Sequence, residues 1–162
     1  MQREVLLLPE SRKTVLRNML ELCQHDYTEF APAFRDLNEA GRFEYRYLDN
    51  YWTEENRFPY ILKIGGKYAG FALVRINERR AYEMSEFFIL RKYRKAGNGS
   101  YLALTVFENH KGDWEVGTHE NNTAAHFWRK VIATAATSEV VEKPGCNEEE
   151  GFSCIDWTFS NL

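Results

Sequence analysis

A dense group of cations and glycines marks the junction between two apolar segments near the middle of the chain. The stretch FFILRKYRKAGNGSYLALTVF, residues 87–107, contains Arg91, Lys92, Arg94, Lys95, Gly97 and Gly99. Free N–H groups at the start of a helix, the helix dipole and glycines that allow close backbone approach together bind anions. Neighbouring cations add charge-assisted hydrogen bonds. The junction therefore predicts a phosphate or pyrophosphate site, and a solvated basic turn is the alternative.

The glycine spacing at this junction does not fit two common phosphate loops. No G-x-x-x-x-G-K-[ST] occurs in the chain, and Leu102 stands where G-x-G-x-x-G needs its third glycine. The spacing that is present is R-x-x-G-x-G, from Arg94 to Gly99.

The elements that must position this junction follow from hydrophobic periodicity. VLLL at 5–8 predicts a short strand, and residues 11–24 predict an amphipathic helix. Residues 25–52 are mixed helix and loop, because FEYRYL alternates like a strand whereas LDNYWTEENRF favours a helix. PYILKI and KYAGFALVRI, joined by Gly65-Gly66, predict a hairpin, and YEMSEFFIL predicts a third strand.

After the junction, the pattern predicts a helix, a strand, a second helix and two last strands. The segments are GSYLALTVFENH, WEVGT, NTAAHFWRKVIATAA, SEVVEK and CIDWTFS, with a glutamate-rich loop, CNEEEGF, before the final strand. This order predicts a mixed α/β (α+β) fold with a mostly antiparallel sheet flanked by helices.

Composition limits the class of protein. The 162 residues, 44% of them hydrophobic, predict a single domain over 1–162. A net charge of -3 argues against nucleic-acid binding, and no apolar run is long enough to cross a membrane. The three cysteines lack metal-ligand spacing, so we expect no metal and reduced thiols. The apolar run near the N-terminus is too short for a signal peptide, which favours a cytoplasmic protein, and a homodimer is left open.

Two motifs together carry a resemblance to a known family. FFILRKYRKAGNGSYLA resembles the acetyl-coenzyme-A motif of the GNAT N-acetyltransferase superfamily, in which a strand leads through [QR]-x-x-G-x-[GA] into a helix. NNTAAHFWRKV is similar to the later N-x-x-A-x-x-F-[YW] segment of that family. The resemblance covers residues 58–132, and the chain also resembles a subgroup of predicted bacterial acetyltransferases with unassigned acceptors.

The resemblance implies a set of residues that bind acetyl-CoA, the acetyl donor. The pyrophosphate would lie on the backbone of Arg94, Lys95, Ala96, Gly97, Asn98, Gly99 and Ser100. The strand end of Phe88, Ile89 and Leu90 would pair with the pantetheine arm, and the Ile89 N–H would polarise the thioester carbonyl. Asn121 would hydrogen-bond the same arm, with a helix N-cap as its alternative role. The sheet would splay beside residues 87–90 to admit this arm.

The implied reaction is direct attack of an amine on the thioester, which requires a base. Glu83 and Glu86 are the candidates, and alternation along a strand predicts that they lie on opposite faces. Glu86 is preferred because it stands two residues before Phe88. The resemblance also places Trp128 among the coenzyme-binding residues, through packing or one hydrogen bond. Trp128 occupies the position where many family members carry a tyrosine that protonates the departing thiolate, and an indole is no acid at neutral pH. Water or another tyrosine would protonate the sulfur, or the thiolate would leave without a proton. His126 is a further catalytic candidate, although a histidine on the helix surface is the favoured interpretation.

The acceptor is expected to be the amine of a small molecule or peptide. HDYTEF, which we place just after the first helix, and YLDNYWTEENRF supply acidic and aromatic groups that suit a cation, although they are also compatible with a surface loop. The alternatives to an N-acetyltransferase are a non-catalytic acyl-CoA-binding module of the same fold and an interaction domain whose basic turn binds an acidic partner.

Overall fold

A computed structural model describes residues 1–147 and 151–162. The strands are β1 (Arg3–Leu7), β2 (Arg57–Ile64), β3 (Lys67–Ile76), β4 (Tyr82–Ile89), β5 (Asp113–His119), β6 (Val141–Asn147) and β7 (Phe152–Ser160). The helices are α1 (Lys13–Tyr27), α2 (Asn50–Thr53), α3 (Asn98–Asn109) and α4 (Ala124–Ala135), with short 3₁₀ turns at Glu10–Arg12 and Arg91–Tyr93. In the described part of the chain, no helix has the length and apolarity that a membrane span requires.

The strands form one sheet in the order β1-β2-β3-β4-β5-β7-β6. Every neighbouring pair is antiparallel except β4 and β5, which are parallel. This architecture confirms the predicted α/β fold with a mostly antiparallel sheet.

Each face of the sheet has its own apolar core. On one face, which we call the α1 face, Leu16 and Leu20 of α1 pack against Phe71 and Leu73 of the sheet. On the other, the α3–α4 face, apolar residues of both helices pack around the fully buried Trp114 and Trp157. Covering both faces explains why β2 and β3 are almost continuously apolar.

The sheet opens between β4 and β5. The two strands pair only at Tyr82–Trp114, Glu83–Glu115 and Met84–Val116, and within the described residues the rest of β4 has no partner on that side. The predicted splay beside residues 87–90 is therefore present.

The expectation that Glu83 and Glu86 lie on opposite faces is wrong. Glu83 pairs with Arg75 and Glu86 with Leu73, while Ser85 is an extra residue in a β-bulge. Arg75 and Leu73 are two residues apart on β3, so their partners lie on the same face. The bulge therefore puts both glutamates on the α1 face.

Two local boundaries also differ from expectation. Helix α1 continues to Tyr27, so His25, Asp26 and Tyr27 form its last turn and do not follow it. FEYRYL is not a strand, and the mixed character predicted for 25–52 is confirmed. β6 takes in the start of CNEEEGF and β7 its last residue, while residues 148–150 of that loop lie outside the described residues.

Candidate active site

The R-x-x-G-x-G segment forms a backbone cradle at the start of α3. Gly97 precedes the helix with φ 77° and ψ 5°, a left-handed conformation that glycine adopts without strain. Intrahelical bonding begins with Tyr101 N–H donating to Gly97 O, at 3.0 Å. The N–H groups of Asn98, Gly99 and Ser100 therefore have no acceptor in the helix and carry its positive dipole end. The structure thus places free N–H groups at the positions where the sequence predicts an anion site.

Side chains around the cradle hold the loop in shape. Asn98 is buried, and its Nδ2 donates to Tyr93 O at 2.8 Å, which closes the turn. Arg3 of β1 donates to Ala96 O at 2.9 Å and lies over the ring of Tyr101. Lys95 is exposed with a positive φ of 63°. The cradle is therefore fixed by contacts before any ligand is added.

Arg94 is committed to protein partners in this structure. Its Nε donates to Ile89 O at 2.7 Å, and its Nη2 lies 2.6 Å from Asp26 Oδ2. Arg91 binds the other Asp26 oxygen, also at 2.6 Å. Burial alone would raise the pKa of Asp26, but the two guanidinium groups outweigh burial and lower it. Asp26 thus links the end of α1 to the anion cradle.

The open edge of β4 presents backbone groups to the gap. Leu90 N–H donates to Ala69 O of β3, so by alternation Phe88 also faces β3. Phe87 and Ile89 point their N–H groups the other way, toward β5, where the ladder has already ended. The side chains of Phe88 and Ile89 are buried on opposite faces. The Ile89 N–H therefore faces the slot, as the expected role in polarising a carbonyl requires.

Asn121 and Trp128 border the same slot from the far side. The helix-capping alternative for Asn121 does not hold, because Asn122 Oδ1 accepts from Ala124 N at 2.9 Å while Asn121 is exposed. Trp128 is buried, with its ring centroid 4.9 Å from that of Phe87, and its indole N–H has no described partner. α4 carries no tyrosine, so no phenol replaces Trp128 there. His126 is exposed on the same helix.

Glu86 lies on the α1 face beside the slot and accepts a hydrogen bond from Tyr27 Oη. Burial raises the pKa of Tyr27 well above 10, so this phenol stays protonated and donates. Glu83, by contrast, is bound by Arg75, with Nε–Oε1 and Nη2–Oε2 distances of 3.1 Å. Of the two candidate bases, Glu83 is held in an ion pair with Arg75, whereas Glu86 is held by the phenol of Tyr27.

A cleft of about 2900 Å³ joins the slot to the α1 face. Its outer wall is aromatic, formed by Tyr27, Phe30, Phe34, Phe43 and Tyr45. Its floor is the sheet, where strands β4, β5 and β7 present carboxylates. The wall is built from the last turn of α1 and the segment after it, which is the region that the sequence associates with the acceptor.

Sequence reasoning missed two residues of the site, Arg3 and Asp156, and the contact of a third, Tyr27. Arg3 belongs to no recognisable motif, and its contact with Ala96 of the loop depends on the tertiary fold. Asp156 of β7 lines the cleft but sits in an ordinary strand pattern. Tyr27 was noted as part of HDYTEF, although the one signal for its contact with Glu86 is tertiary.

The chain belongs to the Acetyltransferase (GNAT) family, whose model matches residues 18–133. It is therefore a member of a family of acyltransferases that use acetyl-CoA as the acetyl donor. The match covers most of the chain and includes both motifs. No curated protein matches the chain significantly by sequence.

Solved structures share the fold at low sequence identity. An acetyltransferase of this family from Bacillus cereus has a TM-score of 0.67 at 14% identity, covering 100% of this chain and 99% of that one. An aminoglycoside 6'-N-acetyltransferase complexed with coenzyme A has a TM-score of 0.69 at 10% identity, covering 98% and 97%. A designated streptothricin acetyltransferase from Bacillus anthracis, complexed with acetyl coenzyme A, has a TM-score of 0.54 at 20% identity, and the match spans 69% of this chain and 66% of that one.

Proposed function

We propose that the chain acts as one N-acetyltransferase domain that transfers an acetyl group from acetyl-CoA to the amine of a small molecule or peptide. The observation that carries this proposal is that the coenzyme cradle and the aromatic cleft adjoin the same strand, β4. The open edge of β4 leads into the α3 cradle, and Glu86, on the same strand, faces the aromatic cleft. A donor site and an acceptor site therefore meet at a single strand.

The residues of the cradle and slot fit the donor. Asn98, Gly99 and Ser100 offer backbone N–H groups to the pyrophosphate. Gly97 adopts the left-handed φ that the loop requires and has no Cβ to obstruct the ligand. The edge of β4 at Phe87 and Ile89 offers strand-like pairing to the pantetheine amides, with Asn121 opposite. Acetyl-CoA supplies the thioester that an amine can attack.

Glu86 then serves as the base for the acceptor. The amine must lose a proton as its nitrogen bonds to the acetyl carbon, and Glu86 accepts that proton directly or through one water. Tyr27 holds the carboxylate toward the cleft. The Ile89 N–H stabilises the charge that develops on the carbonyl oxygen as the amine nitrogen bonds to the carbon. The carbonyl then re-forms as the carbon–sulfur bond breaks, and the sulfur leaves with the electron pair. Water protonates the departing sulfur, since Trp128 has no acidic proton at neutral pH.

Other acetyltransferases of this fold support an amine acceptor. Structural neighbours are named for an aminoglycoside and for an alanine of ribosomal protein S18 in Escherichia coli. Both acceptors carry a primary amine, and the aromatic cleft here is suited to a cation or to the apolar part of such a molecule.

The test is thiol release from acetyl-CoA with a panel of amines, paired with mass analysis of the product. Coenzyme A affinity is measured in parallel by calorimetry. Acetylated product that forms with wild type and falls strongly with Glu86→Gln supports the proposal. Tight coenzyme binding with no acetylated amine across the panel would favour the non-catalytic acyl-CoA-binding module instead.

A further inference from the structure

Four carboxylates lie on the α1 face of the cleft floor. They are Glu83 and Glu86 on β4, Glu115 on β5 and Asp156 on β7. Described donors serve the first three: Arg75, Tyr27 and Arg79 respectively. Among the residues that the structure describes, none donates a hydrogen bond to Asp156 or forms an ion pair with it. Asp156 is therefore the floor carboxylate whose charge the protein leaves uncompensated at close range.

Two glycines keep the space around Asp156 clear. Asp156 pairs with Gly117 on β5, and a Cβ at Gly117 would come 2.6 Å from Asp156 Oδ1. On β6, a Cβ at Gly145 would come 1.8 Å from Oδ2. The carboxylate thus lies over Gly117 of β5 and Gly145 of β6, two positions without a side chain, while Lys143 is its direct partner on β6. The glycines keep it open to the cleft.

The electrostatic surroundings of this carboxylate favour an added cation. Burial raises the pKa of Asp156, and the charges of Glu115 and Glu83 raise it further. Lys143, its partner on β6, acts in the opposite direction, but its ammonium makes no contact within ion-pair distance. A ligand ammonium group at this position would supply the missing positive charge.

The position of Asp156 relative to Glu86 sets a length for the ligand. The last β4–β5 pair is Met84 and Val116, and Gly117 follows Val116 on β5. Gly117 and its β7 partner Asp156 therefore lie at the same height along the sheet as Ser85 and Glu86, which follow Met84 on β4. Asp156 lies two strands from β4, a separation of at least about 10 Å, because β4 and β5 begin to part at this row. Allowing for the reach of each carboxylate, two bound nitrogens would be roughly 6 to 10 Å apart.

We infer that the acceptor is a diamine or polyamine, with one amine at Glu86 and a second, protonated amine bound by Asp156. This inference rests on the proposed function and names the substrate class of the same site. The methylene chain between the two nitrogens would cross Gly117, where the bare backbone gives it room, under the aromatic wall of Phe30 and Phe34. Asp156 is then the residue that selects a second cation.

The experiment compares matched amines on two variants. We would measure kcat/KM for putrescine, cadaverine and hexamethylenediamine against butylamine and hexylamine, with ethylenediamine as a diamine that is too short. Asp156→Asn keeps the side-chain shape and removes the charge, and Asp113→Asn removes a carboxylate from β5 outside the cleft as the control. We expect wild type to prefer the longer diamines over matched monoamines by about tenfold or more, the usual scale of a charged hydrogen bond.

Asp156→Asn should remove that preference by lowering diamine turnover far more than butylamine turnover, while Asp113→Asn keeps wild-type values for both. An equal loss on monoamines and diamines would indicate a structural role and overturn the inference. A wild type that prefers monoamines would overturn it as well. If coenzyme A binds but no amine is acetylated, the proposed function fails separately. Calorimetry of hexamethylenediamine with coenzyme A present then decides the inference, and equal affinity for wild type and Asp156→Asn would refute it.

Discussion

Gly97 offers the sharpest test of the coenzyme cradle, because a matched glycine exists elsewhere in the chain. Gly97 and Gly66 both have φ 77°, and Gly66 lies in the β2–β3 hairpin, away from the cleft. A Cβ at Gly97 would have only the Arg3 guanidinium, 3.8 Å away, as a neighbour, and at Gly66 nothing within 4 Å. Valine at either position is therefore strained by its backbone and not by crowding.

The magnitudes follow from that comparison. A left-handed conformation costs a non-glycine residue about 1 to 2 kcal/mol, which lowers Tm by about 2 to 8 °C for a domain of this size. Both valine variants should lose this much. Only Gly97→Val should also lose coenzyme affinity, because its side chain stands between the pyrophosphate and the N–H groups of α3. Losing one such charged hydrogen bond weakens binding about tenfold to a hundredfold.

Calorimetric titration with coenzyme A, at a temperature where both variants are folded by circular dichroism, measures the difference. Gly66→Val should bind with wild-type affinity. If folded Gly97→Val also binds coenzyme A as tightly as wild type, the cradle does not hold the pyrophosphate and the assignment of the loop is wrong.

Three further outcomes are expected. Glu86→Gln should keep coenzyme affinity but lower kcat by about 10²-fold or more, and this loss should shrink as pH rises because the amine then deprotonates unaided. Trp128→Phe should lower kcat less. pH–rate profiles in which Trp128→Phe loses more activity than Glu86→Gln would refute these roles. Tyr27→Phe should lower kcat severalfold without changing coenzyme affinity, because only the orientation of Glu86 is lost; an unchanged kcat in the same assay would count against it. Asp26→Asn should lower the free energy of unfolding in urea at pH 7. Because the pKa of Asp26 is depressed from 3.8 in the folded state, its stabilisation is present above that value and is lost as pH falls through the folded-state pKa, so wild type and variant should converge in acid. A difference that stays constant with pH would contradict the pairing.

The coenzyme junction could be predicted from sequence because its signal is local. The strand, the cations, the glycines and the helix all occur within the 21 residues from 87 to 107, so the spacing of residues in this segment is enough to predict the junction. The hairpin at Gly65-Gly66 was predictable for the same reason. The bulge at Ser85 was not, because it is defined by which residues of β3 face β4. That one inserted residue reversed the expected side of Glu83.

The contacts that shape the site join distant parts of the chain. Asp26 meets Arg91 and Arg94 across 65 and 68 residues, and Tyr27 meets Glu86 across 59. No periodicity carries information about such pairs, since they depend on how α1 docks on the sheet. The openness of Asp156 likewise depends on glycines in two other strands.

The short contact between β4 and β5 has a consequence for cooperativity. β1 to β4 form one run of antiparallel pairs and β5 to β7 another, and only three residue pairs connect the two runs within the sheet. Local opening should therefore occur at this boundary more readily than within either run. A coenzyme bound along the edge of β4 would add about 2.7 kcal/mol at a concentration one hundred times its Kd. In hydrogen-exchange experiments, much of the gained protection should appear at the amides of Phe87 and Ile89.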